Sequence, residues 1–124
     1  MLEEFAALPE MIPRARHTMV GCLRTWGLGE LIPPIELAFG ELFTNAVRHG
    51  RGPIRVVLAL LPGRLRLEVH DQGGGRPAVR PVQTSGPRLG GWGLRLVENE
   101  VDLWGTDVRP GHTVVWVERA LDPP

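Results

Sequence analysis

The stretch Glu41-Leu42-Phe43-Thr44-Asn45-Ala46-Val47-Arg48-His49-Gly50 decides how the rest of the chain is read. Glutamate and asparagine four residues apart project from nearly the same face of a helix, one turn above the other. Around them Ile35, Ala38, Leu42, Phe43, Ala46 and Val47 form the apolar stripe of a core-facing helix. Pro33-Pro34 opens that helix, Glu36 is set against its positive N-terminal end, and Gly50 closes it. An asparagine carbonyl is a neutral oxygen donor suited to Mg²⁺, and a carboxylate one turn earlier can take a proton from a hydroxyl or a water. A solvated polar pair is the ordinary explanation of such spacing when it stands alone. Its weight comes from two glycine-rich stretches further on.

The first of these is Asp71-Gln72-Gly73-Gly74-Gly75. Asp71 ends an expected strand, so its carboxylate sits at the lip of a sheet, and the glycines let backbone approach a flat ring closely. A carboxylate accepts from an exocyclic amino group, which adenine offers and guanine replaces with a carbonyl. The second is Gly90-Gly91-Trp92-Gly93-Leu94, running into an expected short helix over 93–99. Free amides at a helix start make an anion site. Neither cluster completes the Gly-x-Gly-x-x-Gly dinucleotide pattern. Between them Arg76, Arg80 and Arg88 occur with no acidic residue, and Arg88 lies nearest the expected phosphate site.

The remaining elements follow from periodicity and turn residues. Residues 2–7 read as a short strand. Ile12, Ala15, Met19, Leu23 and Trp26 then mark one helix face, ended by Gly27 in a left-handed cap. Residues 54–60 and 64–71 read as a hairpin turned at Pro62-Gly63, with Leu65, Leu67 and Val69 inward and Arg66, Glu68 and His70 outward. Residues 101–108 and 113–119, turned at Pro110-Gly111, read as a closing hairpin. The expected fold is α/β (α+β): a two-layer sandwich of helices on one face of a mainly antiparallel, mixed sheet, forming one domain over 1–124.

Composition removes several mechanisms. At 124 residues the chain suits one domain that buries roughly two-thirds of its unfolded surface. Its formal net charge is zero, so no overall field draws it to nucleic acid or an anionic membrane. All 14 basic residues are arginine, which excludes the lysine of a Walker P-loop, of a eukaryotic-type kinase strand and of a pyridoxal Schiff base. Cys22 reads as a structural thiol and the four tryptophans as core or site walls. His49 suits a helix C-terminus, and His17, His70 and His112 show no metal-ligand grouping. The acidic start and the short apolar runs, far below the ~20 residues that span a bilayer, lead to an expected soluble, cytoplasmic protein.

Taken in order and spacing, Glu41-x-x-x-Asn45-Ala46-x-x-His49-Gly50, Asp71-x-Gly73-x-Gly75 and Gly90-Gly91-x-Gly93-Leu94-x-Leu96-Val97 resemble the three ATP-binding boxes of the histidine-kinase-like (GHKL, Bergerat-fold) ATPases. Within that superfamily the chain is most similar to small stand-alone anti-sigma factor serine kinases and actinobacterial ATP-binding regulators. The resemblance implies ATP and Mg²⁺ as cofactors, Glu41 as the catalytic base, Asn45 as the Mg²⁺ holder and Asp71 as the adenine reader. Gly73, Gly75, Arg88, Gly90, Gly91, Trp92, Gly93 and Leu94 would then shape the nucleotide lid and phosphate site. It also implies as partners a sigma factor and a STAS-type anti-sigma factor antagonist, phosphorylated on serine, often with a homodimeric regulator. A sensor histidine kinase is a poor fit, because no dimerisation hairpin or phosphoacceptor histidine is present. Two functions remain open at this point: a serine kinase, and a module that binds its partner under ATP control without transferring phosphate.

Overall fold

A computed structural model describes residues 1–49, 51–73 and 101–121. Its elements run β1 (Leu2–Phe5), α1 (Met11–Thr25), a 3-10 turn (Gly29–Leu31), α2 (Ile32–His49), β2 (Ile54–Leu61), β3 (Arg64–Asp71), β4 (Leu103–Arg109) and β5 (His112–Ala120). The expected helix over 93–99, the arginine-bearing segment before it and Gly50 lie outside the described residues.

Helix α1 starts without a side-chain cap, and its first amides are met by backbone instead. Met11 N–H donates to the Leu8 carbonyl at 2.9 Å and Ile12 N–H to Pro9 at 3.0 Å. Pro13 sits in this first turn, where its missing N–H removes no intrahelical bond. At the other end Gly27 adopts φ 73°. Leu28 N–H reaches the Leu23 carbonyl at 2.9 Å and Gly27 N–H reaches Arg24 at 3.0 Å, the paired bonds of a Schellman closure. The left-handed cap expected at Gly27 is therefore present.

Helix α2 departs from expectation at its start. It begins at Ile32, behind the 3-10 turn, and no acidic residue falls in its first turn. Glu36 is thus one turn too far in to face the free amides, and Glu30 occupies the opening of the preceding turn instead. The proline pair does occupy the first turn, as its lack of donors requires.

The sheet order is β1-β2-β3-β5-β4. All four ladders are antiparallel, so no parallel pairing occurs among the described strands. Residues with a common register share a face. Ile54, Val56 and Leu58 of β2, Leu65, Leu67 and Val69 of β3, Trp104 of β4 and Val117 of β5 are buried beneath the helices. They meet Ala15, Met19 and Leu23 of α1 and Ile35, Ala38, Phe39, Leu42, Phe43 and Ala46 of α2. Phe43 is central to this layer, edge-on to Phe5 at 5.9 Å and 5.3 Å from Phe39 between ring centroids. Phe39 is fully buried although it was absent from the stripe read off the sequence.

On the outer face of the sheet, Gly105 lies opposite Trp116. A Cβ there would stand 2.6 Å from Trp116 Cζ2, well inside van der Waals contact. The indole occupies the space a side chain would need. Gly105→Ala is expected to destabilise the fold by about 1–3 kcal/mol through overpacking, read as a lower midpoint in urea denaturation. An unchanged midpoint would show that the indole moves aside freely.

Candidate functional site

Strand β3 carries the first site residue to a defined place. Asp71 is its last residue and shares the helix-facing side with Leu65, Leu67 and Val69, so a carboxylate takes the next position in an apolar row. It is only 9% exposed. The chain then turns sharply enough for the Gly73 amide to donate back to Asp71 Oδ1 at 2.6 Å. Gln72 N–H donates to the Arg51 carbonyl at 2.8 Å, tying the turn to the segment before β2. Burial pushes the Asp71 carboxyl above the ordinary aspartate range, opposed by the Gly73 hydrogen bond and by the nearby His112 and His70 side chains. A desolvated carboxylate gains more than a solvated one from a donor brought to it.

Helix α2 packs on β3 and β2 and brings Glu41 and Asn45 to the same side of the sheet as Asp71. Both are half-buried and stand beside the fully packed Leu42 and Ala46. A packed helix fixes the backbone of its flanking polar residues, so the pair is carried on a rigid support rather than a loop. Of the other expected site residues, Gly73 is placed in the turn after Asp71. Gly75, Arg88, Gly90, Gly91, Trp92, Gly93 and Leu94 lie outside the described residues, as does the side chain of His49. Cys22 is half-buried against the core, in keeping with a structural thiol.

Asn45 offers a hard neutral oxygen, and no group of three or more His, Cys, Asp or Glu that could hold a metal is found among the described residues. An ion held mainly by phosphates and water, with one protein oxygen, needs no such cage.

A second polar group, on the opposite face of the sheet, was not foreseen as a unit. Arg66 Nε donates to Glu68 Oε2 at 2.6 Å and Arg66 Nη1 to Glu118 Oε2 at 2.7 Å, while Arg64 Nη1 donates to Glu118 Oε1 at 2.9 Å. The Arg66 guanidinium lies over Trp116 at 4.2 Å. His70 Nε2 meets Glu68 Oε1 at 2.8 Å and His70 Nδ1 meets His112 Nε2 at 3.0 Å. An open cavity of about 310 Å³ is lined by Arg66, Glu68, His70, His112 and Trp116 among others. Burial alone would raise the Glu68 and Glu118 carboxyls. Hydrogen bonds from His70 and Arg66 to Glu68, and from Arg66 and Arg64 to Glu118, outweigh it and hold both below the ordinary glutamate range. Their contribution to stability is present above that range and is lost as pH falls through the depressed values. The alternation of Arg66, Glu68 and His70 was visible in the sequence. Which β5 residues meet them depends on a long-range register that was not.

No helix among the described residues is long and apolar enough to cross a membrane.

A family model described as the histidine kinase-like ATPase domain matches residues 5–119. The fold is similar to that in the crystal structure of the RsbU and RsbW domains of Rv1364c from Mycobacterium tuberculosis, with TM-score 0.72 and 23% identity over 100% of this chain and 33% of that one. It is also similar to the histidine kinase domain of the Erythrobacter litoralis EL346 blue-light activated histidine kinase, with TM-score 0.58 and 25% identity over 75% of this chain and 46% of that one. A third neighbour is the Acinetobacter baumannii histidine kinase AdeS, with TM-score 0.58 and 13% identity over 99% and 68% of the two chains. The present chain spans a third of the first neighbour and about half of the second. A search of curated proteins gave no match.

Proposed function

The chain belongs to the histidine kinase-like ATPase family, and from that membership we propose that it is an ATP-binding regulator of the anti-sigma factor serine kinase type, acting as one domain over residues 1–124. The observation that carries the proposal is Asp71: a buried carboxylate at the end of a strand, on the helix-facing side, pinned by the Gly73 amide. In this reading Asp71 accepts from the adenine amino group. Gly73 keeps the approach to the ring open. The glycines and Arg88 of the later boxes surround the phosphates, with Gly75, Gly90, Gly91, Gly93, Trp92 and Leu94 in the roles the motifs give them.

Asn45 would hold Mg²⁺, which when bound draws negative charge off the terminal phosphate. Glu41, one turn earlier on the same helix, orients an incoming serine hydroxyl and takes its proton. The low protein-ligand demand of Mg²⁺ and the rigid support of α2 both favour this division of labour. The partners follow from the same motif resemblance: a STAS-type anti-sigma factor antagonist as phosphoacceptor, a sigma factor as the sequestered protein, and a second copy of the chain. The site of action would be the cytoplasm.

Incubation of the protein with labelled Mg-ATP and a candidate antagonist tests the assignment. Label on an antagonist serine is the expected result. ATP binding with no transfer would leave the non-catalytic, partner-binding module as the function. No detectable nucleotide binding by the folded protein would overturn both.

A further inference from the structure

We propose that His70 and His112 form a site for a first-row divalent transition ion on the outer face of the sheet, bridging β3 to β5 and oriented by Glu68. The site uses side chains on the outer face of the sheet that take no part in the nucleotide assignment, and it adjoins Asp71 at the end of β3.

The tautomers follow from the hydrogen-bond chain. Glu68 is engaged by Arg66 and held as a carboxylate, so it can only accept. His70 must therefore donate through Nε2 to Glu68 Oε1 at 2.8 Å, which leaves the lone pair of neutral His70 on Nδ1. His112 Nε2 lies 3.0 Å from that nitrogen. In the metal-free protein His112 Nε2–H fills the gap. If His112 carries its proton on Nδ1 instead, both facing nitrogens present lone pairs, and no net proton is gained or lost by the protein.

The separation fits an ion. Two imidazole nitrogens each about 2.0–2.1 Å from one metal stand roughly 3 Å apart when the angle between the bonds is near a right angle. The carboxylate behind His70 is the second feature of such sites, where a ligating histidine gives its other N–H to a carboxylate that fixes ring and tautomer. A recess of about 40 Å³, bordered by His70, His112 and Gln72 together with Glu4, Arg55 and Asp71, lies beside the pair, enough for an ion with water. With two protein nitrogens and no third His, Cys, Asp or Glu converging among the described residues, water completes the coordination.

The ligand chemistry selects the ion class. Imidazole nitrogen suits Cu²⁺, Ni²⁺ and Zn²⁺, with Cu²⁺ the tightest, whereas Mg²⁺ prefers oxygen. The site is thus distinct from any Mg²⁺ carried with ATP. Because the two histidines lie on different strands, an occupied site would clamp β3 to β5 immediately beside Asp71.

One equivalent of Cu²⁺ added to the full chain should give an electron paramagnetic resonance spectrum with hyperfine structure from two imidazole nitrogens. His112→Gln should weaken Cu²⁺ binding at least about tenfold and remove the two-nitrogen pattern, and Glu68→Gln should weaken it about 10- to 100-fold through loss of the orienting carboxylate. His17→Gln should leave binding unchanged. Zn²⁺ should raise the melting temperature of wild type and not that of His112→Gln. Equal Cu²⁺ affinity in wild type and His112→Gln, or a wild-type spectrum showing a single nitrogen, would overturn the proposal.

Discussion

Replacing Glu41 with alanine is expected to slow phosphate transfer from Mg-ATP to the antagonist serine by about 10²- to 10⁴-fold, the usual contribution of a positioned general base. ATP affinity should change little. Glu41 is half-buried beside the packed stripe of α2 rather than within it, so its truncation opens no cavity in the core. The informative comparison is between single-turnover transfer rate and equilibrium ATP affinity in the same preparation. Loss of rate with retained affinity identifies a group needed when the hydroxyl reacts. Full activity in the variant would remove Glu41 from the mechanism, and equal losses of rate and affinity would make it a binding residue.

Asp71→Asn should have the second large effect, this time on binding. A hydrogen bond to a charged group contributes about 1.5–3 kcal/mol, so losing the ionised acceptor should weaken ATP about 10- to 100-fold. Stability should move the other way or not at all. Burial raises the Asp71 carboxyl in the folded state, so its ionised form opposes folding: Asp71 favours the fold most at low pH, and this contribution is lost as pH rises through the raised value. An asparagine at neutral pH removes that buried charge and can still accept from the Gly73 amide. A melting temperature at or above wild type, with weakened ATP binding by calorimetry, is the expected pairing. Wild-type affinity should also fall as pH falls through the raised Asp71 value, because the protonated acid offers the adenine amino group only a neutral oxygen in place of an ionised acceptor, while the asparagine variant should lack that pH dependence. Unaltered ATP affinity in Asp71→Asn would exclude adenine recognition by this carboxylate.

Local rules made most of the described fold legible. The end of α1 was readable because one glycine and two backbone bonds determine it, and the strands of the β2-β3 hairpin because Leu65, Leu67 and Val69 alternate with Arg66, Glu68 and His70. Helix α2 was readable in its apolar stripe but not at its start: the 3-10 turn from Gly29 shifts the first helical residue to Ile32, which moves Glu36 out of the first turn. Phe39 escaped because its neighbours Ala38, Leu42 and Phe43 already completed a helical stripe, and only the packed layer shows it at the centre. Of the candidate site, Asp71, Glu41 and Asn45 were legible because strand end and helix spacing are local properties. The Arg66, Glu68, His70, His112 and Glu118 group was not, since its partners are joined only when β3 lies beside β5, across a separation of more than forty residues.

That same group also guards the alignment of the two strands. Arg66 reaches Glu68 through Nε and Glu118 through Nη1 while its flat face rests on Trp116, a combination that a planar guanidinium can satisfy and a single ammonium cannot. Sliding β5 past β3 by one residue would turn Glu118 and Trp116 toward the helices and strand the arginine without either. In a chain wholly without lysine, the choice of arginine here therefore does more than supply charge: it makes a one-residue slip of the central ladder costly.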